Sequence, residues 1–305
     1  MTAIQPGGGC HTESTVTHDT PRVSVLMLTF NRPQFIGRAI RSITNQNFQD
    51  WELIVVQDGD NQQTIKVMKE WVSSEPRVRY FHRSQPGNIA NACNYGIARA
   101  RGEYIAILDD DDYWPTPDKL KKQVEFLDSH PEYVACGGGV TVVDEHDTPA
   151  LTYLKPQADA DIKRRALYAN PMTHSTTLYR KSAAELVGFY EESLAGFQDW
   201  DLWLKLGRLG KLYNFPEVFM HYTIWSGGGS FMQSRANTRS AVQIVRRHMG
   251  EYRGSWAALF MAYSYFCYAR LPRPIREVTF STLSKLKKRL FSERKAAKSA
   301  TPVSR

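Results

Sequence analysis

The chain of 305 residues has only four cysteines, Cys10, Cys93, Cys136 and Cys267, and none lies near another in sequence. That excludes a paired-cysteine metal knuckle and a two-cysteine redox motif, and it gives a chain of this size no disulfide framework. A reducing compartment is the expectation. Long apolar runs are also missing. The nearest, Trp256 to Tyr268 (WAALFMAYSYFCY), falls short of the roughly 18 residues a membrane span needs and is followed by Arg270 and Pro272. Residues 1–20 are polar, show no basic-then-apolar signal pattern, and read as a disordered leader. No Ser/His or Cys/His arrangement suggests an enzyme nucleophile.

The chain is rich in aromatics, with 7 Trp, 15 Tyr and 14 Phe, which excludes disorder throughout. Its formal charge of +8 is unevenly placed. Residues 270–305 hold eleven basic and two acidic side chains, while residues 1–269 are close to neutral. The excess therefore points to a polyanionic surface such as anionic lipid, not to nucleic-acid chemistry in the body.

Short apolar runs alternate with helical patterns through the first half. Val23–Thr29, Trp51–Val56, Val78–Phe81 and Tyr104–Leu108 read as buried strands. Pro33–Asn45, Thr64–Ser73 and Ile89–Arg101 read as helices between them. This is the pattern of βαβ units and a mostly parallel sheet, whose ligands bind beyond the carboxyl ends of the strands. Further on, the spacing predicts helices over 117–129, 162–169, 182–187 and 198–209. It predicts strands over 134–143, 175–179 and 219–225, a surface excursion over 144–160, and a helical, aromatic segment over 235–269.

Four aspartates, Asp109 to Asp112, close the fourth strand. Adjacent carboxylates repel unless a cation offsets them, and their oxygens suit Mg²⁺ or Mn²⁺, which keep open positions that phosphate can fill. Asp58 follows the second strand, placed to accept from a base or ribose hydroxyl. Thr29-Phe30-Asn31-Arg32 ends the first strand ahead of a helix that opens with Pro33, and helix N-termini attract phosphate. Topology would bring these three clusters to one edge of the sheet. Asp199 opens an amphipathic helix, where a carboxylate facing a cleft could act as general base. Asp201, two residues on, must project elsewhere.

The stretch VSVLMLTFNRPQFIGRAIRSITNQNFQDWELIVVQDGD resembles the opening of family 2 glycosyltransferases, and so does GEYIAILDDDDYW with the helix PDKLKKQVEFL behind it. THSTTLYRKS, VGFYEE and QDWDLWLKL match that family's second half in order. The resemblance covers roughly residues 21–225. It implies an α/β fold of the single-domain GT-A type, with a mixed, mostly parallel sheet flanked by helices and a Rossmann-like nucleotide-binding half. It also implies transfer of a sugar from a nucleotide diphosphate with inversion. By position, Thr29, Asn31, Arg32 and Asp58 would bind the nucleotide, with Asp109 and Asp110 contacting ribose or metal water. Asp111, with Asp109, would ligate Mn²⁺ or Mg²⁺, and Asp199 would be the catalytic base.

Several positions depart from that family's pattern. Gln57-Asp58 stands where two aspartates are frequent, Cys93-Asn94 replaces Arg-Asn, and Gln198 replaces Glu before the base. Tyr222-Thr223-Ile224-Trp225 stands where many members have Tyr-Arg-x-His, whose His can reach the metal. The implied organisation is a leader (1–20), a glycosyltransferase domain (21–234) and a helical extension with a basic tail (235–305). Within the domain, 21–115 would take the donor, and 116–234 the acceptor and the catalytic base. The expected acceptor is a glycan or lipid-linked hydroxyl, used in the cytoplasm, and 275–305 reads either as a peripheral contact with anionic membrane or as a solvated basic tail on a helix packed against the body. The competing readings are a nucleotide-sugar-binding protein that has lost catalysis and a sugar nucleotidyltransferase. The latter is disfavoured because TFNRPQ lacks a glycine-rich triphosphate grip.

Overall fold

The computed structural model describes residues 20–225, 235–272 and 275. Most of the expected leader, the glycine-rich 226–230 and the basic tail expected over 275–305 lie outside the described residues, Ile275 excepted.

The first half alternates as its pattern requires: β1 (Val23–Thr29), α1 (Pro33–Thr44), β2 (Trp51–Asp58), α2 (Gln62–Ser74), β3 (Val78–Arg83), α3 (Ile89–Ile97) and β4 (Tyr104–Ile107). β1 pairs in parallel with β2 and with β4, and β2 pairs in parallel with β3. β1, β2 and β4 are buried on both faces, and successive side chains feed two different cores. Val23, Val25 and Met27 of β1 join Leu53 and Val55 of β2 in one core, with Ile36 and Ile40 of α1. Leu26 joins Ile54, Val56, Ile105 and Ile107 on the opposite face, with Cys93 and Ile97 of α3. α1 fits its seat because Pro33 starts it without losing a needed N–H, and Ile36, Ala39, Ile40 and Ile43 form one buried stripe. Gly102, just before β4, allows a close backbone crossing: a Cβ there would lie 2.5 Å from the Ser24 nitrogen.

The second half contributes α4 (Lys119–Ser129), β5 (Tyr133–Val143), β6 (Pro149–Tyr153), α5 (Asp159–Arg165), β7 (Leu178–Arg180), α6 (Lys181–Leu186), α7 (Gln198–Leu209) and β8 (Lys211–Thr223). The eight-stranded sheet runs β3-β2-β1-β4-β7-β5-β6, with β8 on β5. β4–β7, β5–β7 and β5–β6 are antiparallel, and β5–β8 is parallel. The sheet is therefore mixed, as expected.

Several details differ from the sequence pattern. The excursion over 144–160 contains β6, whose residues are all exposed, so it carries no apolar alternation. The strand expected over 175–179 is a 3₁₀ turn at His174–Thr176 followed by a three-residue β7. β8 begins at Lys211, eight residues before the expected start, because pairing with β5 carries its first half through Asn214 and past Pro216. The 235–269 segment is two helices, α8 (Arg235–Arg247) and α9 (Ser255–Tyr268). Gly250 and Gly254 break it, at φ of 86° and 79°. Both helices join α7 in a third core through Trp200, Leu204, Val242, Ile244, Val245, Ala258 and Ala262.

Candidate active site

The aspartate run folds into alternating exposure. Asp110 and Asp112 are buried, at 0% and 2% exposed. Asp109 and Asp111 remain open, with side chains 40% and 13% exposed. One strand end thus offers two reachable carboxylates over two buried ones. The chain places a cation against them: Arg32, at the N-terminus of α1, sets one guanidinium nitrogen 2.7 Å from Asp110 and another against Asp111. Burial opposes the charge of Arg32, but Asp110, Asp111 and Asp109 outweigh it and raise its pKa. Burial pushes the Asp110 carboxyl up to about 7 despite Arg32 and the nearby Thr29 hydroxyl. Burial, then the charges of Asp109 and Asp111, raises Asp112 well above its usual range, although the Thr223 N–H donates to it at 3.1 Å.

The neighbouring strand ends supply the rest of this rim. Thr29 pairs with Gln57 in the sheet, so Asp58 stands one strand across from the β1 end. Asp58 accepts from the Gly87 N–H at 3.0 Å and faces Arg83 at 3.5 Å. Asn31, held at φ 55°, accepts from Asn61 at 3.2 Å. This conformation is one that Asn tolerates better than most residues. Thr29 is fully buried beside Asp110, and Asp110 lies beneath Arg32, so neither presents an exposed surface.

On the other side of Asp109 lies a cavity of about 250 Å³, lined among others by Asp109, Asp199, Lys155, Asn170, Tyr153 and Tyr222. Asp199 enters it from the first turn of α7, after Phe197 takes a left-handed conformation at φ 58°. A bulky residue there is strained, which is typical of backbone fixed for a site. The Asn170 amide donates to Asp199 Oδ2 at 2.5 Å. Lys155 Nζ in turn donates to the Asn170 carbonyl at 2.6 Å. Burial lowers the Lys155 pKa, while the Asp199 charge works against that shift. Asp201 faces away, buried against Lys205, Arg247 and His248. The two carboxylates therefore point apart, as their spacing requires.

His174 bonds the Tyr190 hydroxyl at 2.8 Å, and its other ring nitrogen is 3.9 Å from Asp109. His221, near in sequence to the expected histidine position, bonds the Tyr113 hydroxyl at 2.7 Å. At that position stands Trp225, whose indole N–H donates to Asp111 Oδ2 at 3.2 Å. An indole only donates, so it cannot ligate a metal. Among the described residues no three His, Cys, Asp or Glu side chains cluster as a ready-made metal site. Four adjacent carboxylates share the single guanidinium of Arg32, with His174 3.9 Å from Asp109, so the run has room for further positive charge. Asp111 and Asp109, the two reachable carboxylates, are the residues that could hold a divalent ion, because Mg²⁺-type ions take one or two carboxylates and complete their shell with water and phosphate.

Sequence reasoning missed Lys155, Asn170, Tyr153 and Tyr222. They come from loops and β strands that only the fold assembles, and no spacing in the chain announces them.

Residues 24–188 match the profile of Glycosyl transferase family 2. The chain belongs to that family. As a family 2 glycosyltransferase it is an enzyme of the transferase class. It is 30% identical over 227 residues to the amylovoran biosynthesis glycosyltransferase AmsE of Erwinia amylovora, spanning 73% of this chain and 84% of AmsE. Among solved structures, S. aureus TarS (residues 1–349, in complex with UDP) superposes with a TM-score of 0.63 at 17% identity, over 83% of this chain and 76% of that 1–349 chain. The mannosyltransferase PcManGT of Pyrobaculum calidifontis, in complex with GDP-Man and Mn²⁺, superposes with a TM-score of 0.59 at 18% identity, over 88% and 80%. These likenesses show the GT-A fold.

Proposed function

We propose that the enzyme moves a sugar from a nucleotide-diphosphate sugar to a hydroxyl of a glycan or lipid-linked acceptor, with inversion and with the help of Mn²⁺ or Mg²⁺. The observation that carries this reading is that Asp109, at the edge of the carboxylate rim, and Asp199 face one cavity. The solved relatives hold UDP in one case and GDP-Man with Mn²⁺ in the other, which supports a nucleotide-sugar donor and a divalent ion.

In this reading Asn31 and Asp58 receive the nucleoside on the β1–β2 side, next to Thr29. Asp111, with Asp109, would hold the divalent ion, and that ion would supply positive charge opposite the leaving diphosphate. Arg32, paired with Asp110 and Asp111, is the side-chain cation nearest the place this reading gives the diphosphate. Asp110 is the buried carboxylate that keeps Arg32 in place. Asp199 takes the proton of the acceptor hydroxyl as that oxygen attacks the anomeric carbon and the sugar–diphosphate bond breaks. One displacement needs no enzyme nucleophile and inverts the centre.

The reading as a binding protein without catalysis draws on Gln57, Gln198 and Trp225. Gln57 serves the fold: it donates to the Gly59 carbonyl at 2.8 Å and accepts from Tyr80 at 2.6 Å. Of the three, Trp225 is the one that bears on the metal. A cytoplasmic setting fits the free thiols of Cys93, Cys136 and Cys267. No described helix is long and apolar enough to cross a membrane.

The test is a donor panel with Mn²⁺ or Mg²⁺, comparing wild type with Asp111→Ala and Asp199→Asn. Asp199→Asn is expected to bind donor normally and transfer roughly 10²- to 10⁴-fold more slowly. Asp111→Ala is expected to lose metal-dependent donor binding. Normal transfer by Asp199→Asn would show that another group is the base, and no consumption of any donor would overturn the reading.

A further inference from the structure

Helix α9 carries no charged side chain along its 14 residues. Its inner seam is small: Ala258 and Ala262 are buried in the core shared with α8, flanked by Leu259 and Phe266. Its outer side is large and bare. Trp256 is 78% exposed, Phe260 77% and Tyr263 38%, and Cys267 is exposed as well. These four follow the i, i+4, i+7, i+11 spacing that lines one side of a helix, so they form a single apolar stripe. Rimmed apolar stripes of this kind mark contact surfaces.

Charge surrounds the stripe on the chain. Arg253 precedes α9 and Arg270 follows it, both exposed. From Arg270 onward the sequence carries the surplus of nine positive charges. Trp and Tyr present an apolar body and a polar tip, which suits the boundary between headgroups and acyl chains. A second copy of the chain fits the stripe less well. A twofold pairing of α9 would bring two surpluses of nine side by side, and helix–helix seams favour Leu and Ile over Trp and Tyr.

We propose that the α9 stripe, Trp256, Phe260, Tyr263 and Cys267, lies in the surface of an anionic lipid bilayer, with the basic segment from Arg270 onward holding it there by charge. An apolar face laid into the interface and basic residues on the headgroups are the two contributions that such binding combines. The site is not far off in the fold. The Tyr168 hydroxyl donates to the Gly254 carbonyl at the start of α9, and Asn170, two residues on from Tyr168, holds Asp199. Seating α9 on lipid thus anchors the acceptor side of the cavity to the surface. This deepens the reading of a lipid-linked acceptor and rests on it only for that last point.

The test is co-sedimentation of the full chain with vesicles of phosphatidylcholine, with and without phosphatidylglycerol, at low and high salt. Wild type is expected to bind the anionic vesicles and to lose binding as salt rises. The double variant Trp256→Ser/Phe260→Ser is expected to partition at least about tenfold less, since each side chain loses its apolar transfer energy. Reversing Lys285, Lys287, Lys288 and Arg289 to Glu is expected to abolish the preference for anionic vesicles. Equal binding by the double variant and wild type overturns the proposal, and so does a wild type that binds neither vesicle. A dimer in light scattering that the double variant dissolves assigns the stripe to a second copy and overturns it too. Donor hydrolysis without vesicles, measured on the same samples, is expected to be unchanged in the double variant. Its absence from all samples would count against the proposed transfer, not against membrane docking.

Discussion

The Asn170 amide donates to Oδ2 of Asp199 at 2.5 Å, which leaves the other carboxylate oxygen for the acceptor hydroxyl in the proposed transfer. Asn170 is itself steadied through its carbonyl by Lys155. A hydrogen bond to a carboxylate contributes about 1.5–3 kcal/mol, so Asn170→Ala should lower kcat about tenfold or more. The donor KM should stay as it is, because Asn31 and Asp58, the proposed nucleoside contacts, are untouched. Steady-state kinetics with the donor varied, beside a thermal melt of the variant, would check this. A rise in donor KM with kcat unchanged would remove Asn170 from the base's support.

Trp225 donates to Asp111 where many family members carry a histidine. Trp225→His should supply a nitrogen able to ligate the ion and lower the Mn²⁺ concentration for half-maximal activity by about tenfold, the low end of what changes around a metal ligand do. Trp225→Phe should not. Titrating Mn²⁺ against both variants at saturating donor, and following Mn²⁺ binding by electron spin resonance, would separate the two.

Asp201 predicts how the fold responds to acid. Burial would raise its pKa, but hydrogen bonds from His248 and Lys205 and the charges of Lys205 and Arg247 hold it at about 2, below its usual 3.8. A carboxylate depressed in the folded state stabilises above its unfolded pKa, and that share is lost as pH falls from about 4 to about 2. The size of the shift corresponds to about 2 kcal/mol. Asp201→Asn should therefore weaken the fold by about that much at pH 7, and its deficit against wild type should shrink as pH falls toward 3. Urea unfolding at both pH values would show it.

Gly102→Ala should destabilise by about 1–3 kcal/mol, the usual range for overpacking. The new Cβ would meet the Ser24 nitrogen and the Val23 carbonyl carbon at 2.5 and 2.8 Å, and main chain in a sheet cannot step aside. Thermal melts are enough to test this.

Much of the first half was legible because burial and period coincide there. β1 and α7 have the ends that the pattern predicts, since apolar runs and helical stripes stop where Asn31 and Gly210 interrupt them. β6 was not legible: it opens with Pro149, exposes every residue and owes its existence to pairing with β5. The aspartate run announced a cation site, but only the fold shows that Asp109 and Asp111 are the open members and that Arg32 covers the cluster. Asn170 and Lys155 sit 29 and 44 positions before Asp199, in segments that read as ordinary loop. No local pattern encodes a contact made by tertiary packing.

Asp199 and Asp201 leave the same helical turn in different directions, and the second is fastened by Arg247 and His248 at the end of α8. Hydrogen exchange should report that fastening. Opening α8 would strand a buried carboxylate, so the amides of α7 and α8 should exchange as one cooperative unit. The turn bearing the proposed base would then share the slow exchange of the core, while the exposed tip of the β5–β6 hairpin, whose His146 and Asp147 amides bond only to Asp144, exchanges faster.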